Sequence, residues 1–282
     1  MVGDRRTGRL MFSINTNVGA MVALQNLNLV NRELFEVQRR ISTGLKVSSP
    51  KDNGAVWAIA QGQRAEVRGL TAVTASLQRG QSIVDVAING GEEISDLLGQ
   101  MKEKMLAASD TSLNATDRAA LSADYVALRG QIDRIASNAT FGGVSLISSG
   151  SSGNVRALAN AAGSDSINVD HVDLSTTGGL ISGTLADLTT VTAADLTNLD
   201  NALRGVNAAV AKLGTGAKAL DSHESFISKL SDTLEASIGR LVDADLAKES
   251  ARFQALQVKQ QLAIQALSIA NQQPQLILQL FR

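Results

Sequence analysis

The stretch from Leu199 to Leu241, LDNALRGVNAAVAKLGTGAKALDSHESFISKLSDTLEASIGRL, decides the fold. An apolar residue recurs in it every seven positions without a miss: Leu199, Val206, Leu213, Leu220, Ile227, Leu234 and Leu241. A seven-residue apolar period on a helix makes a seam that needs another helix against it. At about 1.5 Å per residue the stretch spans roughly 60 Å. A matching pattern precedes it in Leu70, Leu77, Val84, Leu98 and Met105, with Gly91 the one gap. A Ser/Thr/Gly-rich middle separates the two seams. The predicted fold is mainly α: an elongated antiparallel helical coiled-coil rod formed from both chain halves, with a small β- and loop-rich tip.

The totals agree with helix-on-helix packing. The chain has 282 residues and a net charge of −1, which offers no general attraction for nucleic acid or anionic lipid. Aromatics make up only 3%, so Leu, Val, Ile and Ala must do the packing. With no cysteine there are no disulfides, no thiol chemistry and no cysteine metal sites. No apolar run reaches the roughly 18 residues of a membrane span. Arg5, Arg6 and Arg9 are followed by no apolar core segment, so neither a Sec nor a twin-arginine signal is expected.

A first helix is predicted from Asn15 or Asn17, either a good N-cap, to about Thr43. Its apolar face is read as Ala20, Leu24, Leu27, Leu34 and Ile41, with Glu36 able to pair with Arg40 one turn on. Gly44 is a natural stop. A polar bend over 47–56 leads into a long helix from about Ala58 to Ser109, and Leu121, Tyr125, Leu128, Ile132 and Ile135 space a third. In the middle, Ile167, Val169 and Val172 alternate like a short strand, and Thr177-Gly178-Gly179 reads as a hairpin turn. The seam helix spans about Ala193 to Leu241. A last helix, capped by Asp243 or Asp245, is expected to run to about Gln273, where Pro274 interrupts it.

Sites of chemistry are absent from the pattern, and catalytic, cofactor and metal residues are read as none. His223-Glu224 opens like a zinc-protease motif, but position 227 is Ile where the second ligand should be. His171 has no helical spacing to it. Gly214-Thr-Gly-Ala-Lys218 lacks the Gly-Lys-Ser/Thr ending of a phosphate loop, and its glycines read as local thinning of a helix. The tail is different: Leu276, Ile277, Leu278, Leu280 and Phe281 crowd a chain end, where segments normally fray. Such a cluster reads as a surface buried between subunits.

At this point the residues resemble bacterial flagellin. Ser13-Ile-Asn-Thr-Asn17 with AMVALQNLN (20–28) resembles the family's opening, and ISTGLKVSSPKDNGAVWAIA (41–60) its first bend. Ile132 to Val144, VDADLA (242–247) and the run from Gln257 to Arg282 ending LQLFR complete five segments in order. Asn53-Gly-Ala-Val-Trp57 and the small middle look most like the short flagellins of alphaproteobacteria.

The resemblance implies an inner domain of terminal helices, 11–44 with 246–282, after an N-terminal extension, 1–10. A helical rod domain, 45–144 with 193–245, and a small outer segment, 145–192, complete the chain. Leu24, Leu27, Leu34 and Ile41, with Leu262, Leu267, Leu276, Ile277, Leu280 and Phe281, become the polymerising core. Thr176, Thr177, Ser182, Thr189 and Thr190 become candidates for O-glycosylation in an exposed segment without a packing role. The implied life of the subunit is type III export without a cleaved signal peptide, aided by a flagellar export chaperone. It would then polymerise outside the cell, as a homopolymer or mixed with other flagellins, beside hook-associated proteins and a filament cap, with no nucleic acid or membrane partner. A hook–filament junction protein shares the terminal helices but usually has a larger middle. A coiled-coil signalling rod expects a membrane span and a symmetric helical tip, and the chain has neither.

Overall fold

The computed structural model describes residues 16–150, 153–184 and 187–280, with side chains through 272. Five helices carry the chain: α1 (Val18–Thr43), α2 (Gly54–Ala108), α3 (Ala115–Asn138), α4 (Ala193–Val242) and α5 (Leu246–Leu280). Between α3 and α4 lie strands β1 (Val155–Leu158) and β2 (Ser166–Val169) and a short 3-10 turn, Gly179–Ile181. The chain divides into two compact units, one of residues up to Gln63 together with Ala236 onward, the other Arg64–Glu235.

In the second unit, buried positions on α2 follow a three-four rhythm through Leu70, Val73, Leu77, Val84, Ala87, Ile94, Leu98, Met101 and Met105. On α4 the same rhythm runs through Leu199, Ala202, Val206, Ala209, Leu213, Leu220 and Ile227, with Leu234 half-buried against the same core. Cross-links at Gln78–Glu224, Ser95–Asn207 and Lys102–Asp200 show the helices running antiparallel. The gap at Gly91 is the seam's closest approach. A Cβ built there would sit 2.6 Å from Cγ2 of Val210, so the missing side chain is what lets α4 in. The heptad ends before Leu241, which is only half-buried; Ile238 and Val242, at four-residue steps from Leu234, are buried instead. A straight helix drifts against a seven-residue repeat, and here the drift has moved the stripe by one residue.

A second stripe runs one residue ahead of the seam: Ser76, Ile83, Gly90 and Leu97. It carries what the sequence leaves as a tip. A Cβ on Gly90 would meet Ile147 at 2.8 Å and Ala139 at 3.2 Å, and one on Gly69 would meet Ala161 at 2.7 Å. Strands β1 and β2 pair antiparallel, Val155 opposite Val169 and Leu158 opposite Ser166, and lie along α2 and α4. Leu158 N donates to Ser76 Oγ at 3.1 Å, and Val169 stands over Gly216 of α4. So Gly216 thins the helix for a strand, while nothing approaches Gly214. His223 is occupied by Ala159 O at 2.7 Å and His171 by Ser148 O at 2.9 Å.

Three expectations for the middle are corrected. Thr177-Gly178-Gly179 does not turn the hairpin. The connection between the strands runs through Asn160–Gly163, closed by Ala159 N to Asp165 O at 3.0 Å. Val172 lies beyond β2, its N–H given to Leu146 O at 2.8 Å. The segment also has a packing role, since Leu146, Ile147, Leu174, Ile181 and Leu188 are fully buried.

In the first unit, Asn17 caps α1 by accepting Ala20 N at 2.9 Å. Gly44 ends it at φ 70°, a left-handed conformation that glycine adopts without Cβ strain. The chain then ties itself to the end of α4: Lys46 N and Val47 N donate to Val242 O at 2.7 and 3.2 Å, and Ala244 N to Gly44 O at 2.9 Å. Asp245 Oδ1 accepts Ala247 N and Lys248 N, both at 3.1 Å, and starts α5. Pro274 does not interrupt α5, which continues to Leu280. Proline removes the N–H that should satisfy the carbonyl four residues back. That carbonyl is Ala270 O, and Asn17 Nδ2 supplies the missing donor at 2.7 Å.

Candidate functional site

No group of three or more His, Asp or Glu side chains among the described residues could hold a metal ion. What the first unit offers instead is surface. Helices α1 and α5 pack antiparallel, and the stripe of α1 turned inward is Ala20, Ala23, Leu27, Val30, Leu34, Val37 and Ile41. On α5 the inward stripe is Glu249, Phe253, Leu256, Gln260, Ala263, Leu267 and Ala270. Both follow three-four spacing. The pairing leaves a large apolar surface uncovered: Val18, Met21, Val22, Leu24, Leu29 and Phe35 on α1, and Val258, Leu262, Ile264 and Ile269 on α5, each about half exposed or more.

The predicted core residues therefore divide into two sets. Leu27, Leu34, Ile41 and Leu267 lie on the faces that pair within the chain. Leu24, 48% exposed, and Leu262, 57% exposed, stand on the outer surface. Leu24 is one residue off the spacing set by Ala20, Ala23 and Leu27, which is why it falls outside that stripe. Leu276, Ile277, Leu280 and Phe281 lie outside the described side chains, and the extension 1–10 lies outside the described residues.

Polar contacts hold the bend between α1 and α2. Arg39 grips Asp52 with both guanidinium nitrogens and also donates to Ser48 Oγ at 2.7 Å. Asp52 further accepts Ser48 N and Ser49 N, both at 3.0 Å. The hydrogen-bonded Arg39 guanidinium holds the Asp52 carboxyl well below the usual carboxylate range, and the Ser49 and Ser48 donors add to it against burial. A depressed native pKa means a stability contribution that is full above about pH 4 and fades as pH falls below it. The variant Asp52→Asn is accordingly expected to cost about 1 kcal/mol at pH 7 after solvent screening. The gap to the parent should narrow between pH 4 and pH 2. Thermal melts followed by Trp57, the single tryptophan and a member of the same unit, measure it.

Arg40 bridges Glu36 on its own helix and Glu249 on α5, as the spacing of the first two predicts. Of the candidate hydroxyls, Thr177, Ser182, Thr189 and Thr190 are exposed. Thr176 is not a candidate: it is 3% exposed, and its N–H and hydroxyl both donate to Asp133, at 2.8 and 2.6 Å. The residues missed by sequence reading are Asn31, Arg39, Asp52, Glu249 and Gln260, and Asn17 was read as a cap without its contact to Ala270 O. The only signal for them was a polar residue at an apolar spacing, as at Glu249 and Gln260.

Residues 14–152 match the bacterial flagellin N-terminal helical region, and residues 196–281 the bacterial flagellin C-terminal helical region. The chain belongs to the flagellin family. Flagellin FljK of Caulobacter vibrioides is 53% identical over 273 residues, covering 96% of this chain and 98% of that protein. The flagellin of Brucella melitensis is 37% identical over 284 residues, covering 96% of this chain and all of the relative. These are the short flagellins of alphaproteobacteria. As a flagellin the chain is a structural subunit of the bacterial flagellar filament, and flagellins polymerise with one another.

Proposed function

We propose that this flagellin joins the filament through the outer surface of α1 and α5, and that its only job is structural. The observation that carries this is the second apolar surface on a helix pair already packed along its first. A soluble monomer rarely leaves so many large apolar side chains of one helix pair uncovered, and partner subunits of the same kind are the simplest cover. Residues 11–44 and 246–282 then act as the inner domain, 45–144 with 193–245 as the surrounding layer, and 145–192 as the outermost part. The subunit forms a homopolymer or a mixed polymer with other flagellins outside the cell. It meets hook-associated proteins at one end and the filament cap at the other. An export chaperone and the flagellar type III apparatus deliver it without a cleaved signal peptide. No described helix is long and apolar enough to cross a membrane.

Seeded growth of purified subunits, viewed by negative-stain electron microscopy, tests the reading. The full chain should extend seeds into filaments, and removal of Gln275 to Arg282 should stop growth with helicity retained. Normal filaments from the truncated chain would remove the tail from the interface. The middle is proposed to carry O-linked glycans on Thr177, Ser182, Thr189 or Thr190. Intact mass of filament protein from the native source should then exceed the mass of the bare sequence, and agreement with the bare mass would reject the modification.

A further inference from the structure

Helix α5 has two apolar stripes, and the more polar of them faces α1. The inward one holds Phe253, Leu256, Gln260, Ala263, Leu267 and Ala270, preceded by Glu249. The outward one holds Val258, Leu262 and Ile269, with Gln265 and Ala266 between the last two, and is continued upstream by small residues. Phe253, Leu256 and Leu267 on the inward face and Val258, Leu262 and Ile269 on the outward face offer comparable apolar area for burial. Hydrophobicity alone therefore does not choose between the faces.

We propose that three polar links select the face: Asn17 with Ala270 O, Asn31 with Gln260, and Arg40 with Glu249. By holding one stripe inside, they leave the other on the surface for neighbouring subunits, so the inference rests on the filament reading. The links sit at both ends and the middle of the pair, from Asn17 to Arg40 on α1 and from Ala270 back to Glu249 on α5. They fix rotation, direction and register together.

Each link is built for selection more than for strength. Asn17 uses both ends of its amide, capping α1 with Oδ1 and donating Nδ2 to Ala270 O at 2.7 Å. That acceptor is free because Pro274 has no N–H to give it, so it is met only when this side of α5 faces α1. Gln260 Nε2 donates to Asn31 Oδ1 at 2.7 Å from a position an apolar residue would normally fill. Glu249 is 9% exposed and takes Arg40 Nη1 at 3.3 Å, while Glu249 Oε2 and Arg40 Nε have no hydrogen-bond partner. An ion pair so incompletely satisfied packs less favourably than an apolar pair of the same volume. Fixing the register of paired helices is the best-attested use of such groups.

Disulfide closure reads the chosen face directly, because the chain has no cysteine of its own. A Cβ on Gly19 would lie 4.0 Å from Ala270 Cβ, within the span of a disulfide. Gly19→Cys with Ala270→Cys reports the observed face, and Gly19→Cys with Ile269→Cys reports the outward stripe. Both pairs are oxidised in seeded filaments of the full chain. Non-reducing gels separate closure within a subunit from cross-links between subunits. In the parent, closure at 270 should exceed closure at 269 by well over tenfold. Adding Arg40→Leu, Glu249→Leu and Gln260→Leu should lower that ratio at least tenfold while helicity and melting temperature hold or rise. The reciprocal exchange Asn31→Gln with Gln260→Asn keeps the link and should keep the ratio. An unchanged ratio in the leucine variant would overturn the proposal and leave packing alone as the selector. If the leucine variant does not assemble, the ratio is read in its soluble subunits and decides in the same way. Failure of the parent chain to extend seeds would count against the filament reading alone.

Discussion

Leu262→Asp combined with Ile269→Asp stops filament growth and leaves the isolated subunit as helical and as heat-stable as the parent. Both side chains are more than half exposed, at 57% and 63%, so the subunit alone loses no packing. Under the proposed assembly they exchange water for apolar neighbours in the filament. Full burial of a Leu or Ile contributes about 1.5–3 kcal/mol, and a carboxylate in its place adds a desolvation penalty. A loss of about 4 kcal/mol at an interface corresponds to a roughly thousandfold higher subunit concentration for growth. Light scattering of seeded subunits over a concentration series reads the shift. Leu256, 3% exposed on the opposite stripe, gives the contrast: Leu256→Asp should disturb the pair itself and lower the melting temperature. Growth of the double variant at the parent's threshold would show that this surface faces solvent in the filament.

Ile227→Asp is the most damaging change expected in the other unit. Ile227 is 2% exposed in the core that joins α2, α3 and α4. Deleting such a side chain costs about 2–5 kcal/mol, and an unpaired buried charge is no milder. For a unit of this size, each kcal/mol is worth about 2–4 °C, so a fall of about 10 °C in melting temperature is expected. The adjacent Phe226 is 55% exposed and touches only the edge of this arrangement, its ring 5.8 Å from that of His223. Phe226→Asp should move the melting temperature by no more than a degree or two. Circular dichroism melts of the two variants side by side give the comparison. Similar losses at 226 and 227 would mean that the seam does not govern stability there.

How far the sequence carries this fold depends on which signal each element leaves. The seam from Leu199 to Ile227 is legible because a heptad repeated over several turns has no competing explanation. Helix starts at Asn17 and Asp245, and the stop at Gly44, are legible from local capping chemistry. The strand β1 is not, because Val155 to Leu158 holds an arginine and only two inward residues, too short a run to show alternation. Pro274 misleads for a specific reason: its cost is local, but the donor that offsets it lies on the other helix, more than 250 residues away in sequence. The assembly surface is legible as a quantity of apolar side chains and not as a face. Leu24 and Leu262 look like interior residues because large apolar side chains stand on both sides of these helices, and only one side of each pairs within the chain. The Arg39–Asp52 contact left a trace only in the bend's polar composition, since its partners are brought together by a turn that Gly44 permits.

The placement of Ala161 against Gly69 also bears on how such a chain can lengthen. Hairpin tips are the usual places to graft a peptide, because they tend to face solvent. Here the tip is occupied: a Cβ on Gly69 would stand 2.7 Å from that of Ala161, and residues just before it are fastened to Ser76 and His223. Added residues at 160–163 must lift the turn from α2 and release both fastenings. Ser182 and Gly183, exposed and with nothing within 4 Å of a Cβ on Gly183, demand only that the local turn from Thr184 to Ile181 O reopen. An inserted epitope or a naturally acquired loop belongs at that second position, where the decorated surface can grow without disturbing the helices that carry it.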